Sequence, residues 1–380
     1  MYFTRDQLDF AASVADFCTA EVGTREKRNG YSDNGTVIHS RKLFAKMARL
    51  GWAGIAIPEE YGGSGGGLVE QCLFFEETSR ALAPVAAAAS TQLVAQTILK
   101  YASEEQKQQR IPMLVDGASM SLSLSEPEAG SDAANVACKA VRDGDNFVIN
   151  GQKTWASYAH LVDRILLVVR TSRDADAKHK GLTMLDVDPT TEGMTVHEIP
   201  TMGSREVNDI YLTDVSVPAS AVVGIEGGAW RQVMSGLNSD RLIIAAQAVG
   251  NARRALQDAT EFLGQRRQFG STLSSMQALR HQIADLATEV EAARALTFLA
   301  AHRVQERVGN DKELTRLTSM AKLKATETAR KVALDGIQLL GGYGFTKEFD
   351  MEHIARHTIA AAIYGGTSQI QREIVARTLM

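Results

Sequence analysis

Arg164-Ile165-Leu166-Leu167-Val168-Val169 is an aliphatic run headed by one charge. Phe147-Val148-Ile149, Ile210-Tyr211-Leu212 and Val215-Ser216-Val217-Pro218 share its texture. Turn-forming residues punctuate these runs, at Asp143-Gly144-Asp145, Asn150-Gly151 and Asp186-Val187-Asp188-Pro189. Short apolar runs bounded by such residues read as strands. Residues 119–226 are therefore expected to form a middle β domain, a small barrel or sandwich.

Outside this segment the apolar period changes from strand-like to helical. In the first 118 residues it runs through Leu43, Met47 and Leu50, and through Leu68, Cys72 and Phe75. Beyond residue 226, amphipathic stretches cover roughly 229–263, 274–308, 312–340 and 367–378. The fold class is α+β: an N-terminal helical domain (1–118), the β domain (119–226) and a C-terminal four-helix-bundle domain (227–380). The glycine-rich Pro58–Gly67 segment has no clean G-x-G-x-x-G and no strand before it, so it reads as a plain loop.

The chain has 380 residues, 44% of them hydrophobic and 23% charged, which suits a soluble protein with a large core. Its net charge of −4 argues against nucleic acid as the main partner. No apolar run reaches bilayer-spanning length, and Met1–Asp6 lacks the layout of a signal peptide. Cys18, Cys72 and Cys138 are odd in number and far apart, giving no disulfide or zinc pattern. A reducing cytoplasm is the expected location.

Six segments in order carry a family resemblance: Ser125–Asp132, Asn150–Trp155, Asp214–Pro218, Arg266–Gly270, Gln338–Gly344 and Tyr364–Arg372. Together they resemble the acyl-CoA dehydrogenases over essentially the whole chain. That resemblance implies FAD as cofactor and an acyl-CoA thioester as substrate. It also implies an electron-transfer flavoprotein as electron acceptor, and a homotetramer or hetero-oligomer.

Residue by residue, it implies that Leu122, Leu124, Ser125, Gly130 and Ser131 lie against the isoalloxazine. Trp155 would stack on the flavin and Ser157 would hydrogen-bond its N5. Arg266 and Gln268 would contact the pyrophosphate, reaching a neighbouring subunit, and Phe269 and Gln277 would also bind the cofactor. Gln338, Gly341 and Gly342 would approach the same diphosphate, with Thr367 and Gln369 on the adenosine side. Ser131, Asn238, Arg241, Tyr364 and Gly366 would contact the substrate. The structural alternatives are a core aromatic for Trp155, a solvated charge for Arg266 and a helix stop for Gly341-Gly342.

One departure matters. Many members of the family carry a catalytic glutamate after the tyrosine, where this chain has Gly365. Glycine keeps its N–H, so a donor to the thioester oxygen survives there. Relatives of the isovaleryl-CoA dehydrogenase type place the base on the helix after the β domain, and the matching residue is Asp240. Leu237 and Ile244 lie three before and four after Asp240, so the acid shares an apolar face. Desolvation there is expected to raise its pKa toward that of a general base.

The side chain missing at Gly365 is expected to leave room for a branched or cyclic acyl group. Arg356-His357 also departs from the family, which often has an acid after that arginine. Two alternatives stay open: a flavin-bound lyase resembling the desulfinases, with Arg80 holding an anionic tail, and a catalytically silent subunit.

Overall fold

The computed structural model describes residues 3–173 and 177–380. Its helices are α1 (Arg5–Val22), α2 (Arg25–Ser32), α3 (Arg41–Arg49), α4 (Leu68–Arg80), α5 (Ala87–Tyr101), α6 (Glu104–Val115), α7 (Ala229–Gln265), α8 (Gln277–Gln305), α9 (Asp311–Leu340), α10 (Met351–Ala361) and α11 (Ser368–Leu379). The strands are β1 (Met120–Ser123), β2 (Lys139–Asp143), β3 (Asn146–Ser157), β4 (Arg164–Arg170), β5 (Leu182–Val187), β6 (Met194–Glu198), β7 (Val207–Pro218), β8 (Val222–Val223), β9 (Arg267–Gln268) and β10 (Ser271–Thr272). The order is helices, a central sheet, then helices.

The central sheet has eight strands in the order β6-β7-β3-β2-β4-β5-β8, with β1 pairing in parallel to β4. The run at 164–169 is β4, and its alternate residues enter different cores. Ile165, Leu167 and Val169 join a cluster with Phe147, Ile149, Leu185 and Ile210. Leu166 and Val168 join one with Ile98, Ile111, Leu114 and Met184. Both faces are buried, which is why the strand reads as continuously apolar.

Two turn expectations change. Asn150-Gly151 lies inside β3, where the pairing to β7 shifts register. The Asn150 amide donates to Asp214, whose backbone N–H donates back, so the pair spans a bulge. A side chain at Gly151 would meet Cys138 at 2.9 Å. Asp186 stands within β5, where it accepts from Arg110 and Arg164, and the turn begins only at Asp188. The two apolar runs near 210–218 form a single strand, β7.

By compactness the chain divides into two units. One comprises Asn29–Gly66 and Pro84–Leu237, and holds the sheet. The other comprises Met1–Arg28, Gly67–Ala83 and Asn238–Met380, and is helical. In the helical unit, α4 packs on α1 and α8, while α9 packs on α8, α10 and α11. Its core is built largely of alanines on α7 and α9, such as Ala245, Ala252, Ala325 and Ala329. Small residues let backbones approach: a Cβ at Gly250 would lie 2.2 Å from the Glu76 carbonyl oxygen on α4. Buried Glu76 then accepts from Arg253 and Arg294, at 2.6 Å each, tying α4 to α7 and α8.

Several helix starts follow from capping residues. Thr4 with Gln7, Ser103 with Gln106, and Asn310 with Glu313 form reciprocal capping boxes. Helix α10 is an element the apolar period alone did not mark off. Leu50, expected on the apolar face of α3, is exposed just past the end of that helix.

Candidate active site

In the helical unit, α7 carries Asn238, Asp240 and Arg241, and the Tyr364–Thr367 loop joins α10 to α11. Gly365 and Gly366 have φ of +62° and +84°, a region that glycine enters without steric cost. A Cβ at Gly365 would lie 2.4 Å from Ile244 Cδ1 and 3.5 Å from Asp240 Oδ2. So the loop and α7 are in contact, and Asp240 faces Gly365. The expectation of free space at Gly365 is overturned, because Ile244, one turn beyond Asp240, occupies it.

Asp240 is partly buried, and its carboxylate neither pairs with nor accepts from any described residue. Desolvation pushes its pKa up to about 6, against the pull of Arg241 and Lys322. An unpaired carboxylate with this affinity suits proton abstraction near neutral pH. Arg241 is buried and donates to Asn238 Oδ1 at 2.9 Å. That same oxygen accepts from Thr318, and the Asn238 amide donates to Thr315.

Lys322 on α9 is the residue that sequence reasoning missed. It is fully buried, and its ammonium donates to the carbonyls of Tyr364 and Gly366 at 2.9 Å each. Gln371, also fully buried, donates to the carbonyls of Gly365 and Gly366 at 3.1 and 3.0 Å. The Gly365 N–H donates to no described residue. The available signal was a lysine four residues from both Thr318 and Thr326 on the buried face of an alanine-rich helix.

The pyrophosphate candidates gather elsewhere in the helical unit. Arg266, Gln338, Gly341 and Gly342 line an open cavity of about 450 Å³ together with Phe262, Leu273 and Tyr343. The Arg266 guanidinium sits over the Tyr343 ring at 5.4 Å. Gln268 and Phe269 lie on the β9–β10 hairpin, with Phe269 94% exposed, and Gln277 opens α8. Thr367 caps α11 by accepting from the Ile370 N–H at 3.2 Å, and Gln369 is exposed in its first turn.

In the sheet unit, Leu122 belongs to β1, while Leu124 and Ser125 follow it beside β3. The Leu124 carbonyl accepts from Lys153 at 3.0 Å and the Ser125 carbonyl from the Thr154 N–H at 3.0 Å. This sets Ser125 next to Trp155, which is 58% exposed with φ +56°. Ser157 ends β3, and Gly130 and Ser131 are exposed in the segment between β1 and β2. Glu126 anchors the segment by accepting from Lys153 and from the N–H groups of Ala137 and Cys138.

Two peripheral expectations find structural explanations. Arg80 donates to Glu77 at 2.9 Å, one turn away on its own helix. Arg356 pairs with Glu352, and the His357 ring packs against His353 at 4.4 Å.

Comparison with known proteins shows the family. The acyl-CoA dehydrogenase N-terminal, middle and C-terminal domain models match residues 4–118, 121–215 and 227–380. The probable acyl-CoA dehydrogenase YngJ of Bacillus subtilis is 34% identical, over 99% of this chain and 98% of its own. The caffeyl-CoA reductase-Etf complex subunit CarC of Acetobacterium woodii is 32% identical, with both chains fully covered. The crystal structure of a glutaryl-CoA dehydrogenase from Mycobacterium smegmatis in complex with FADH2 superposes with a TM-score of 0.89 at 25% identity, covering 100% of this chain and 95% of that one. With three domain models in order and relatives matched from end to end, the chain belongs to the acyl-CoA dehydrogenase family.

Proposed function

We propose that the protein is an FAD-dependent acyl-CoA dehydrogenase in which Asp240 is the base that removes the α-proton. The observation that carries this reading is the unpaired Asp240 carboxylate facing Gly365, with its pKa raised to about 6.

The donor sets fit the cofactor. A guanidinium, an amide and two glycines at one cavity suit a diphosphate, since forked N–H donors match its oxygens. Exposed Trp155 beside Ser125 suits a planar ring, which an aromatic face shields from water. Bound FAD supplies the acceptor for the hydride leaving the β-carbon. Arg266, Gln268 and exposed Phe269 are the residues we assign to contacts with a second copy in a tetramer.

Asp240 takes the α-proton on a carboxylate oxygen. The Gly365 N–H donates to the thioester oxygen and stabilises the negative charge that develops there. Asn238 holds Arg241 in place beside the acid. Near pH 6 Asp240 populates both protonation states, so the same residue can return the proton in the reductive direction. The electron partner is an electron-transfer flavoprotein, consistent with the Etf complex named for the Acetobacterium relative.

The test is anaerobic flavin bleaching under a panel of acyl-CoAs. The wild type loses its oxidised-flavin colour, and Asp240→Asn bleaches about 10²–10⁴-fold more slowly. Unchanged bleaching in Asp240→Asn removes Asp240 as the base. Turnover with retained colour supports a lyase, and neither activity supports a silent subunit.

A further inference from the structure

We infer that Lys322 is a positioning residue for this reaction: bonded to the carbonyls on either side of Gly365, it orients the oxyanion donor and favours the ionised form of the facing Asp240. This rests on the reading of Asp240 as base.

The first half of the argument is peptide geometry. The Tyr364 carbonyl and the Gly365 N–H belong to one planar trans peptide, so they point in opposite directions. Lys322 donates to that carbonyl at 2.9 Å. Fixing the carbonyl toward α9 aims the Gly365 N–H away from α9, where it has no partner among the described residues. A cation on the carbonyl also polarises the peptide and makes its N–H a stronger donor. The second bond, to the Gly366 carbonyl, prevents the two-glycine segment from flipping.

The second half is charge. A neutral amide is enough to satisfy these carbonyls, as Gln371 does for two of the three. An ammonium at a fully buried position costs desolvation, which pushes the Lys322 pKa down to about 8. It forms no ion pair among the described residues, and the two carbonyls it grips flank Gly365, the residue that Asp240 faces, so its positive charge favours the Asp240 carboxylate. The other charge acting on this pair is Arg241 on α7. From α11 the loop meets neutral Gln371, while Arg372 pairs with Glu327 at the surface. On the α8 side Lys324 pairs with Glu289. Lys322 therefore supplies positive charge that these outer pairs do not.

Three variants separate the two roles. Lys322→Gln keeps hydrogen-bond donors without the charge, Lys322→Met removes both, and Lys322→Arg keeps the charge. The Asp240 carboxyl is titrated by infrared difference spectroscopy, wild type minus Asp240→Asn, without substrate. Removing a cation destabilises the carboxylate, so the Asp240 titration moves upward. The expected shift is about one unit or more in Lys322→Gln and Lys322→Met, and much less in Lys322→Arg. The acid limb of bleaching moves with it, and the limiting bleaching rate falls further in Lys322→Met than in Lys322→Gln. An unchanged carboxyl titration in Lys322→Gln overturns the proposal, while loss of bleaching in Asp240→Asn would still leave Asp240 as the base. Unchanged bleaching in Asp240→Asn instead removes the reading beneath it.

Discussion

Lys153 in the sheet unit and Lys322 in the helical unit are both fully buried, and both grip carbonyls of a segment that carries candidate site residues. Burial pushes both pKa values down. They differ in what they do with their acid. Lys153 meets Glu126 directly at 2.7 Å, and Glu126 is saturated by two further backbone donors. Asp240 touches no donor and keeps its oxygens free. A buried pair closed on itself fixes a backbone. A partly buried acid that no described residue pairs with keeps its oxygens free.

The largest break in this comparison should come from Lys153→Met. It strands Glu126 in the interior and should cost about 3–5 kcal/mol in denaturant unfolding. Gly365→Ala should follow, at about 1–2 kcal/mol, because a side chain there adopts a left-handed φ and displaces the end of the Ile244 side chain. Combining it with Ile244→Ala should cost less than the sum of the two single changes, as a double-mutant cycle would show.

Asp240→Asn should act in the opposite direction and stabilise the fold. A pKa raised from 3.8 to about 6 corresponds to about 3 kcal/mol of stability given up by the ionised acid. The folded state here binds the proton more tightly than the unfolded state does. The gain from Asp240→Asn should therefore be full above about pH 6 and fade to nothing below about pH 4, in unfolding measured across that range. The smallest effect should be Gln371→Leu, at about 1 kcal/mol in the same assay, since Lys322 still serves the Gly366 carbonyl.

Much of this was legible in the residues. The aliphatic run at 164–169 announced a strand buried on both faces, and the helical period located α7, α8, α9 and α11. The placement of Asp240 among apolar neighbours already implied a raised pKa. Other features were hidden because they depend on residues far apart in the chain. Asn150-Gly151 reads locally as a turn, and only its bond to Asp214 reveals a bulge. Gly365 reads as a missing side chain with space behind it. Contact with Ile244, 121 positions earlier in the chain, shows that the space is filled.

The sequence by itself determined the order of domains, the family and the absence of a carboxylate at position 365, because period and residue identity are local properties. The tertiary structure alone decided that Asp240 faces that glycine with no described partner, and that Lys322 holds the carbonyls on either side of it. Those facts depend on which backbones are brought close enough to exclude water, and burial of this kind gives a lysine or an aspartate its chemical character.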